Sequence, residues 1–232
     1  MIDWHSHVLP SIDDGSKSVS ESLELLAMLS CQGIDTVVAT PHFLADCESV
    51  ESFLKRRSEA FEKIVPFLNE KHPRVLLGAE VKFYSGISRM NGLEKLCIEN
   101  TNLLLLEMPI SPWTEYTKRE LFELSATRGV KVILAHVERY ISFQNKSVWE
   151  NCLRNGMFVQ VNAGYINDLF TKRKAIRNLE EGKIHFIGSD CHNLKLRPPK
   201  LNEAFQTVRN KLGNGFLEQM NEFGCLVLEK NN

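Results

Sequence analysis

Residues 1–15 read M-I-D-W-H-S-H-V-L-P-S-I-D-D-G. The run Met1–Trp4 reads as a short strand, and His5 and His7 follow it two positions apart. On an extended chain the side-chain period is two, so both imidazoles face one side and can reach one ion. The I-D-D-G that follows places a carboxylate, Asp14, in the first loop. The same grammar, an apolar run ending in a histidine or an acid, recurs down the chain. Ile34–Thr40 leads to His42 in A-T-P-H, Arg74–Val81 closes on Glu80, and Asn102–Glu107 ends with Glu107. Val130–His136 ends with His136, and Ile184–Ser189 leads to Asp190 and His192 in G-S-D-C-H. Met157–Asn162 is a further run of the same kind.

Most of these runs are continuously apolar and not alternating, the pattern of parallel strands covered on both faces. The segments between them read as helices. Ser18 with Glu21 three residues later is a capping-box pattern, Leu23, Leu26 and Leu29 follow at helical spacing, and Gly33 closes the element. Val50, Phe53, Leu54, Phe61, Ile64, Val65 and Leu68 make a second apolar stripe, which Pro66 is expected to bend or shorten. Helices are also predicted over 114–128, 146–155, 171–181 and 202–221. Repeated strand–helix units point to an α/β barrel or a doubly wound sheet, and a strand at the very N-terminus favours an incomplete barrel. No repeat or linker divides the chain, so residues 1–232 are expected to form one domain.

In a parallel barrel all strands present their C-terminal ends on one face, where active sites lie. Nine metal-type side chains would then converge: His5, His7, Asp14, His42, Glu80, Glu107, His136, Asp190 and His192. His72 and His185 fall outside the pattern. Imidazoles and carboxylates without a thiolate suit Mn, Fe, Zn or Co better than Ca or Mg. Nine ligands are too many for one ion. Two or three divalent ions are implied, with a bridging carboxylate for which Glu80 is the central candidate.

The composition narrows the partners. Over 232 residues the formal net charge is −1, with 43% hydrophobic and 25% charged residues. A near-neutral chain has no bulk electrostatic reason to bind nucleic acid or an anionic membrane, and no apolar run is long enough to span one. Cleavage of a signal peptide would remove the motif that starts at Asp3, so none is expected. Six scattered cysteines without a C-x-x-C pair suggest reduced thiols in a cytoplasmic protein.

The segments D-W-H-S-H, A-T-P-H, G-A-E-V, A-H-V-E-R and G-S-D-C-H resemble, in order, those of the PHP (polymerase and histidinol phosphatase) superfamily. More narrowly, the first fifteen residues, T-V-V-A-T-P-H-F, A-H-V-E-R-Y and S-D-C-H-N-L-K-L-R-P-P resemble the bacterial CpsB/CapC/YwqE-type protein-tyrosine phosphatases, from residue 1 to about 210. That resemblance implies a distorted (β/α)7 TIM-like barrel and a manganese-dependent phosphatase with a trinuclear site. It groups His5, His7, Glu80 and Asp190 on one ion, Glu80, Glu107 and His136 on a second, and Asp14, His42 and His192 on a third. It also marks Arg139 and Arg197 as phosphate-binding arginines, and guanidinium groups can clamp phosphoryl oxygens in a bidentate way. The implied chemistry is hydrolysis of phosphotyrosine by a metal-bridged hydroxide. The implied partner is the tyrosine-rich tail of a bacterial tyrosine kinase controlling capsule or exopolysaccharide synthesis. Alternatives are another PHP hydrolase, such as a histidinol-phosphate phosphatase or a nuclease, and a non-catalytic barrel that docks a kinase.

One motif points elsewhere. Cys191 to Arg197 matches C-x5-R, the signature of cysteine-dependent tyrosine phosphatases. The intervening residues contain no glycine, and Pro198 and Pro199 follow, which supply no N–H donors for a phosphate cradle. The same segment carries Asp190 and His192, so the match reads as coincidence.

Overall fold

The computed structural model describes residues 1–127 and 129–229. The elements in chain order are β1 (Ile2–Ser6), α1 (Val19–Cys31), β2 (Thr36–Ala39), β3 (His42–Phe43), α2 (Val50–Ile64), β4 (Arg74–Leu77) and β5 (Glu80–Lys82). β6 (Leu103–Glu107), α3 (Glu115–Thr127), β7 (Lys131–Leu134), α4 (Lys146–Arg154), β8 (Phe158–Asn162), α5 (Ala163–Asn167), α6 (Lys172–Glu180), β9 (Phe186–Gly188), α7 (Leu201–Leu212) and α8 (Asn214–Glu229) follow.

Every strand pairing is parallel. One sheet runs β1-β2-β4 and the other β3-β5-β6-β7-β8-β9. The sheet curls until its first and last strands meet. The Asp190 N–H donates to the His5 carbonyl at 2.8 Å, and the His7 N–H donates to the Cys191 carbonyl at 2.9 Å. The Asp3 carboxylate fastens the same seam by accepting the Ser189 N–H at 2.8 Å and the Ser189 hydroxyl at 2.6 Å.

Alternate residues of each strand enter different apolar clusters. Leu104, Leu106, Val132 and Leu134 pack against the helices, whereas Leu103, Leu105, Ile133 and Ala135 fill the inside of the curl. This two-sided burial is why the runs read as continuously apolar. Trp4 stacks on Phe186 inside, with ring centroids 3.7 Å apart. Val227 of α8 joins the same interior cluster, and Gly224 brings α8 close to Ile2 and Trp4. Because Ile2 begins β1, α8 plugs the end of the sheet where the strands start, and the opposite end stays open.

The predicted helices occur, with two differences. Ser18 caps α1 by accepting the Glu21 N–H at 3.2 Å. α2 stops at Ile64, and Pro66 sits in a 3-10 turn over Val65–Phe67. The run expected over 202–221 divides at Gly213, whose φ of +91° ends α7 before α8 begins. Arg128, at the end of the run predicted over 114–128, lies outside the described residues. The expected single strand Arg74–Val81 is two strands, β4 and β5, separated by Gly78 and Ala79. There the chain passes from one sheet to the other and pairs Glu80 with His42 of β3, a short strand the sequence pattern did not suggest.

Gly188, at the end of β9, has no room for a side chain: an added Cβ would sit 2.6 Å from His5 Cβ and 2.7 Å from Gln160 Nε2. Gly188→Ala is expected to destabilise the fold by about 1–3 kcal/mol through overpacking. Urea or thermal unfolding should show the loss, and an unchanged midpoint would contradict this packing.

Candidate metal centre

All nine expected side chains lie at the open end of the curl. The strand ends deliver them, and two do so through backbone that costs free energy. His136 follows β7 with φ of 29°, and Asp190 follows β9 with φ of 51°. Left-handed conformations at residues other than glycine persist where surrounding structure enforces them, commonly at functional sites.

Glu80 is the hub. Its side chain is 1% exposed, and its Oε2 lies 3.2 Å from His5 Nε2, 3.3 Å from His7 Nε2 and 2.9 Å from His42 Nδ1. Oε1 faces His136 Nε2 at 2.6 Å. Burial alone would raise this carboxyl, but His5, His136 and His42 hold it well below the usual carboxylate range. Glu107 extends the cluster, 3.6 Å from His136 Nε2. On the other flank Asp14 Oδ1 lies 3.4 Å from both His42 Nε2 and His192 Nε2.

The imidazoles are oriented from behind. His7 Nδ1 donates to Asp13 Oδ2 at 2.7 Å, His5 Nδ1 meets Gln160 Oε1 at 3.3 Å, and His192 Nδ1 donates to the Asp190 carbonyl at 3.0 Å. A neutral ring whose Nδ1 donates in this way can offer its Nε2 lone pair inward, as a metal ligand must. The Nε2 atoms of His5 and His7 approach to 3.2 Å. His192 Nε2 and Glu80 Oε2 are buried without a hydrogen-bond partner. Converging lone pairs, an ionised buried carboxylate and orphaned acceptor atoms fit divalent cations, whose charge would offset the cost of burying these groups. The donor set of imidazole and carboxylate suits Mn, Fe, Zn or Co.

Four overlapping groups place ligand atoms close enough to share an ion: His7, Asp14, His42 and His192; His5, His7 and Asp190; His5, Glu80 and His136; and His42, Glu80 and Glu107. They differ from the grouping implied by resemblance: His5, His7 and His42 each reach two neighbourhoods, and Glu107 falls with His42 and not with His136. The imidazoles draw in around Glu80, and the His7 ring lies only 3.9 Å from that of His192.

Asp190 joins the cluster to two arginines. Its Oδ1 faces the imidazoles of His5, His7 and His192 at 3.5–3.8 Å. Its Oδ2 accepts from Arg139 Nη2 at 2.5 Å, Arg197 Nη2 at 2.7 Å and Asn162 Nδ2 at 2.7 Å. Burial would raise the Asp190 carboxyl, but His5, His7 and Arg139 hold it far below its ordinary value. Arg139, Arg197, Asn162, Leu196 and Lys200 line an open cavity of about 230 Å³ beside it. Cys191 points the other way. It is fully buried within the apolar core, and burial pushes its thiol well above the usual range.

Sequence reasoning missed three supporting residues. Asp13 orients His7, accepts the His42 N–H at 3.1 Å and accepts the Gly15 N–H at 2.9 Å. Gln160 also accepts the His136 N–H at 2.7 Å, and Asn162 steers Asp190. The adjacent acids of I-D-D-G were a signal for Asp13. Gln160 and Asn162 sit two apart at the end of β8 and so share a face, which was legible, but their amides carry no charge to attract notice.

The family described as "Capsular polysaccharide synthesis, CpsB/CapC" matches residues 1–222. The tyrosine-protein phosphatase CpsB of Streptococcus pneumoniae is 31% identical over 232 residues, covering 92% of this chain and 91% of that one. The tyrosine-protein phosphatase YwqE of Bacillus subtilis is 28% identical over 235 residues, covering 98% and 91%. A crystal structure from the pair YwqE of Bacillus subtilis and CpsB of Streptococcus pneumoniae, described as unique metal-dependent tyrosine phosphatases, superposes with a TM-score of 0.84. It is 25% identical and covers 100% of this chain and 96% of that one.

A carboxylate shared between ions predicts a specific loss. Glu80→Ala is expected to release more than one equivalent of metal, since the cations would then face one another without the intervening anion. Elemental analysis of the purified variant reads this directly, and full occupancy would refute a bridging role.

Proposed function

The chain belongs to the CpsB/CapC family, and we propose on that premise that its cluster is the metal centre of a protein-tyrosine phosphatase. The observation that carries the reading is the convergence of nine imidazole and carboxylate side chains beside two arginines that share Asp190 Oδ2. His5, His7, Glu80 and Asp190, then Glu80, Glu107 and His136, then Asp14, His42 and His192 are the proposed ligand sets for two or three ions, with Mn2+ the preferred metal. The barrel is read as a distorted (β/α)7 type and residues 1–232 as one domain.

When bound, the ions supply Lewis acidity toward phosphoryl oxygens and lower the pKa of attacking water. This chain's own residues do the rest. Arg139 and Arg197, 35% and 40% exposed, reach from Asp190 into the open cavity and can offer paired N–H donors to a phosphoryl group. Asn162 and Asp190 set their position. Asp13 and Gln160 hold the imidazoles in register. A tyrosine leaves as a phenolate with a pKa near 10, far below that of an alkyl alcohol, so aryl phosphates need little help from a general acid.

The proposed substrate is phosphotyrosine on the tail of a bacterial tyrosine kinase that controls capsule or exopolysaccharide synthesis; the relatives' names support the phosphotyrosine, and the family description supports the link to capsule synthesis. No helix among the described residues is long and apolar enough to cross a membrane. The six cysteines are free thiols, which supports a cytoplasmic location.

Two experiments test this reading. Arg139→Ala and Arg197→Ala should retain metal but lose about 2–4 kcal/mol of transition-state stabilisation, or roughly 30- to 1,000-fold in rate. If phosphopeptide kinetics leave either variant within a few-fold of the parent, that arginine does not hold the phosphoryl group. Separately, EDTA should abolish turnover and Mn2+ restore it best, while Cys191→Ser retains most activity. An enzyme that tolerates EDTA but fails with Cys191→Ser would overturn the metal mechanism.

A further inference from the structure

The cavity of about 230 Å³ onto which Arg139 and Arg197 open has a wall of two kinds. Arg139, Arg197 and Lys200 supply positive charge, and Asp190, the carboxylate in this wall, is already committed to the arginines and the imidazoles. Leu196 and Gly164 supply apolar and bare surface. Leu196 is 89% exposed. A lone exposed leucine on a loose loop needs no explanation, but this loop is tightly built. Asn193 Oδ1 accepts the N–H groups of Lys195, Leu196 and Arg197 at 3.1, 2.7 and 3.2 Å, and the His192 N–H donates to the Arg197 carbonyl at 2.9 Å. The frame that sets Arg197 on Asp190 therefore also fixes Leu196, one residue away. Leu169 and Phe170 are exposed as well, but they do not line this cavity.

Gly164, the second residue of α5, is the other unusual part of the wall. Its φ is not left-handed, and a Cβ built there would meet nothing within 4 Å. Neither the backbone nor packing within the protein calls for glycine, which weakens a helix relative to alanine. Its bare backbone leaves the cavity open. An occupant that suits this wall carries an anion for the arginines joined to a compact apolar group. Resting on the phosphatase reading above, we propose that Leu196 is a specificity residue that packs against the phenyl ring of the phosphotyrosyl group while Arg139 and Arg197 hold its phosphoryl oxygens. The ring of phosphotyrosine begins at the ester oxygen, so an apolar face adjoins the phosphoryl group with no spacer. Phosphoserine and phosphothreonine bring a short stem followed at once by polar backbone, and they leave Leu196 in water. Removal of apolar surface from water is the source of the preference.

The test uses the metal-loaded protein and two phosphonates that resist hydrolysis, methylphosphonate and benzylphosphonate, which differ only in the ring. Titration calorimetry should show that both bind and that benzylphosphonate binds more tightly. Leu196→Ser should cut the affinity for benzylphosphonate about 5- to 10-fold, and leave the affinity for methylphosphonate and the melting temperature unchanged. Leu196→Met, which keeps an apolar side chain of similar volume, should restore the preference for the ring. A parent that binds the two phosphonates equally, or a Leu196→Ser variant that weakens both alike or neither, would overturn the role of Leu196 and leave the phosphatase reading standing. Failure of the parent to bind methylphosphonate at all would overturn the phosphatase reading and this proposal with it.

Discussion

A carboxylate with almost no solvent, faced by four imidazoles, is the constraint on which the rest of this molecule depends. An ionised group buried at the start of β5 is tolerable only if positive charge or hydrogen-bond donors surround it. The surroundings of Glu80 are therefore specified from many directions. β1 brings His5 and His7, β3 brings His42, and the turn after β7 brings His136. Behind the rings, Asp13 and Gln160 fix which nitrogen points inward. His136 and Asp190 take left-handed backbone where the chain leaves a strand and swings a ligand-type side chain over the opening.

Charge is layered across this end of the fold. Asp190 shows one oxygen to the imidazoles and the other to Arg139, Arg197 and Asn162. The arginines are thus held at the border between a buried cluster of imidazoles and carboxylates and an open cavity, with little freedom left to lose on meeting an anion. At the opposite end α8 packs Val227 into the interior and lays Gly224 against Trp4.

Much of this was legible in the sequence because it is local. A continuous apolar run ending in His or Glu is readable one strand at a time, and parallel strands then bring the ends together without further information. Ser18 and Pro66 acted within their own turns and so behaved as expected. What escaped notice depends on long-range geometry. The break at Gly78 and Ala79 arises because β5 pairs with β3, whose two residues are too few to show a pattern. The choice between Asp13 and Asp14 depends on where His7 Nδ1 lies, and Gln160 matters only because β8 passes beside His5 and His136. Gly213 was hidden because the apolar spacing continues across it, while its φ of +91° ends the helix.

The seam between β1 and β9 has a consequence for how the chain acquires its shape. Asp3 and Ser189 are 186 positions apart, yet they hydrogen-bond directly, and His5 and Asp190 do the same through their backbones. Contacts of such sequence separation carry a large loop-closure cost and form late. A nascent chain, emerging N-terminus first, displays the His5–His7 pair long before its β9 neighbour exists. Until then those rings are free to take up stray transition metals in incomplete geometry. Closure of the last strand is therefore the step at which a loose chelating segment becomes a defined cage.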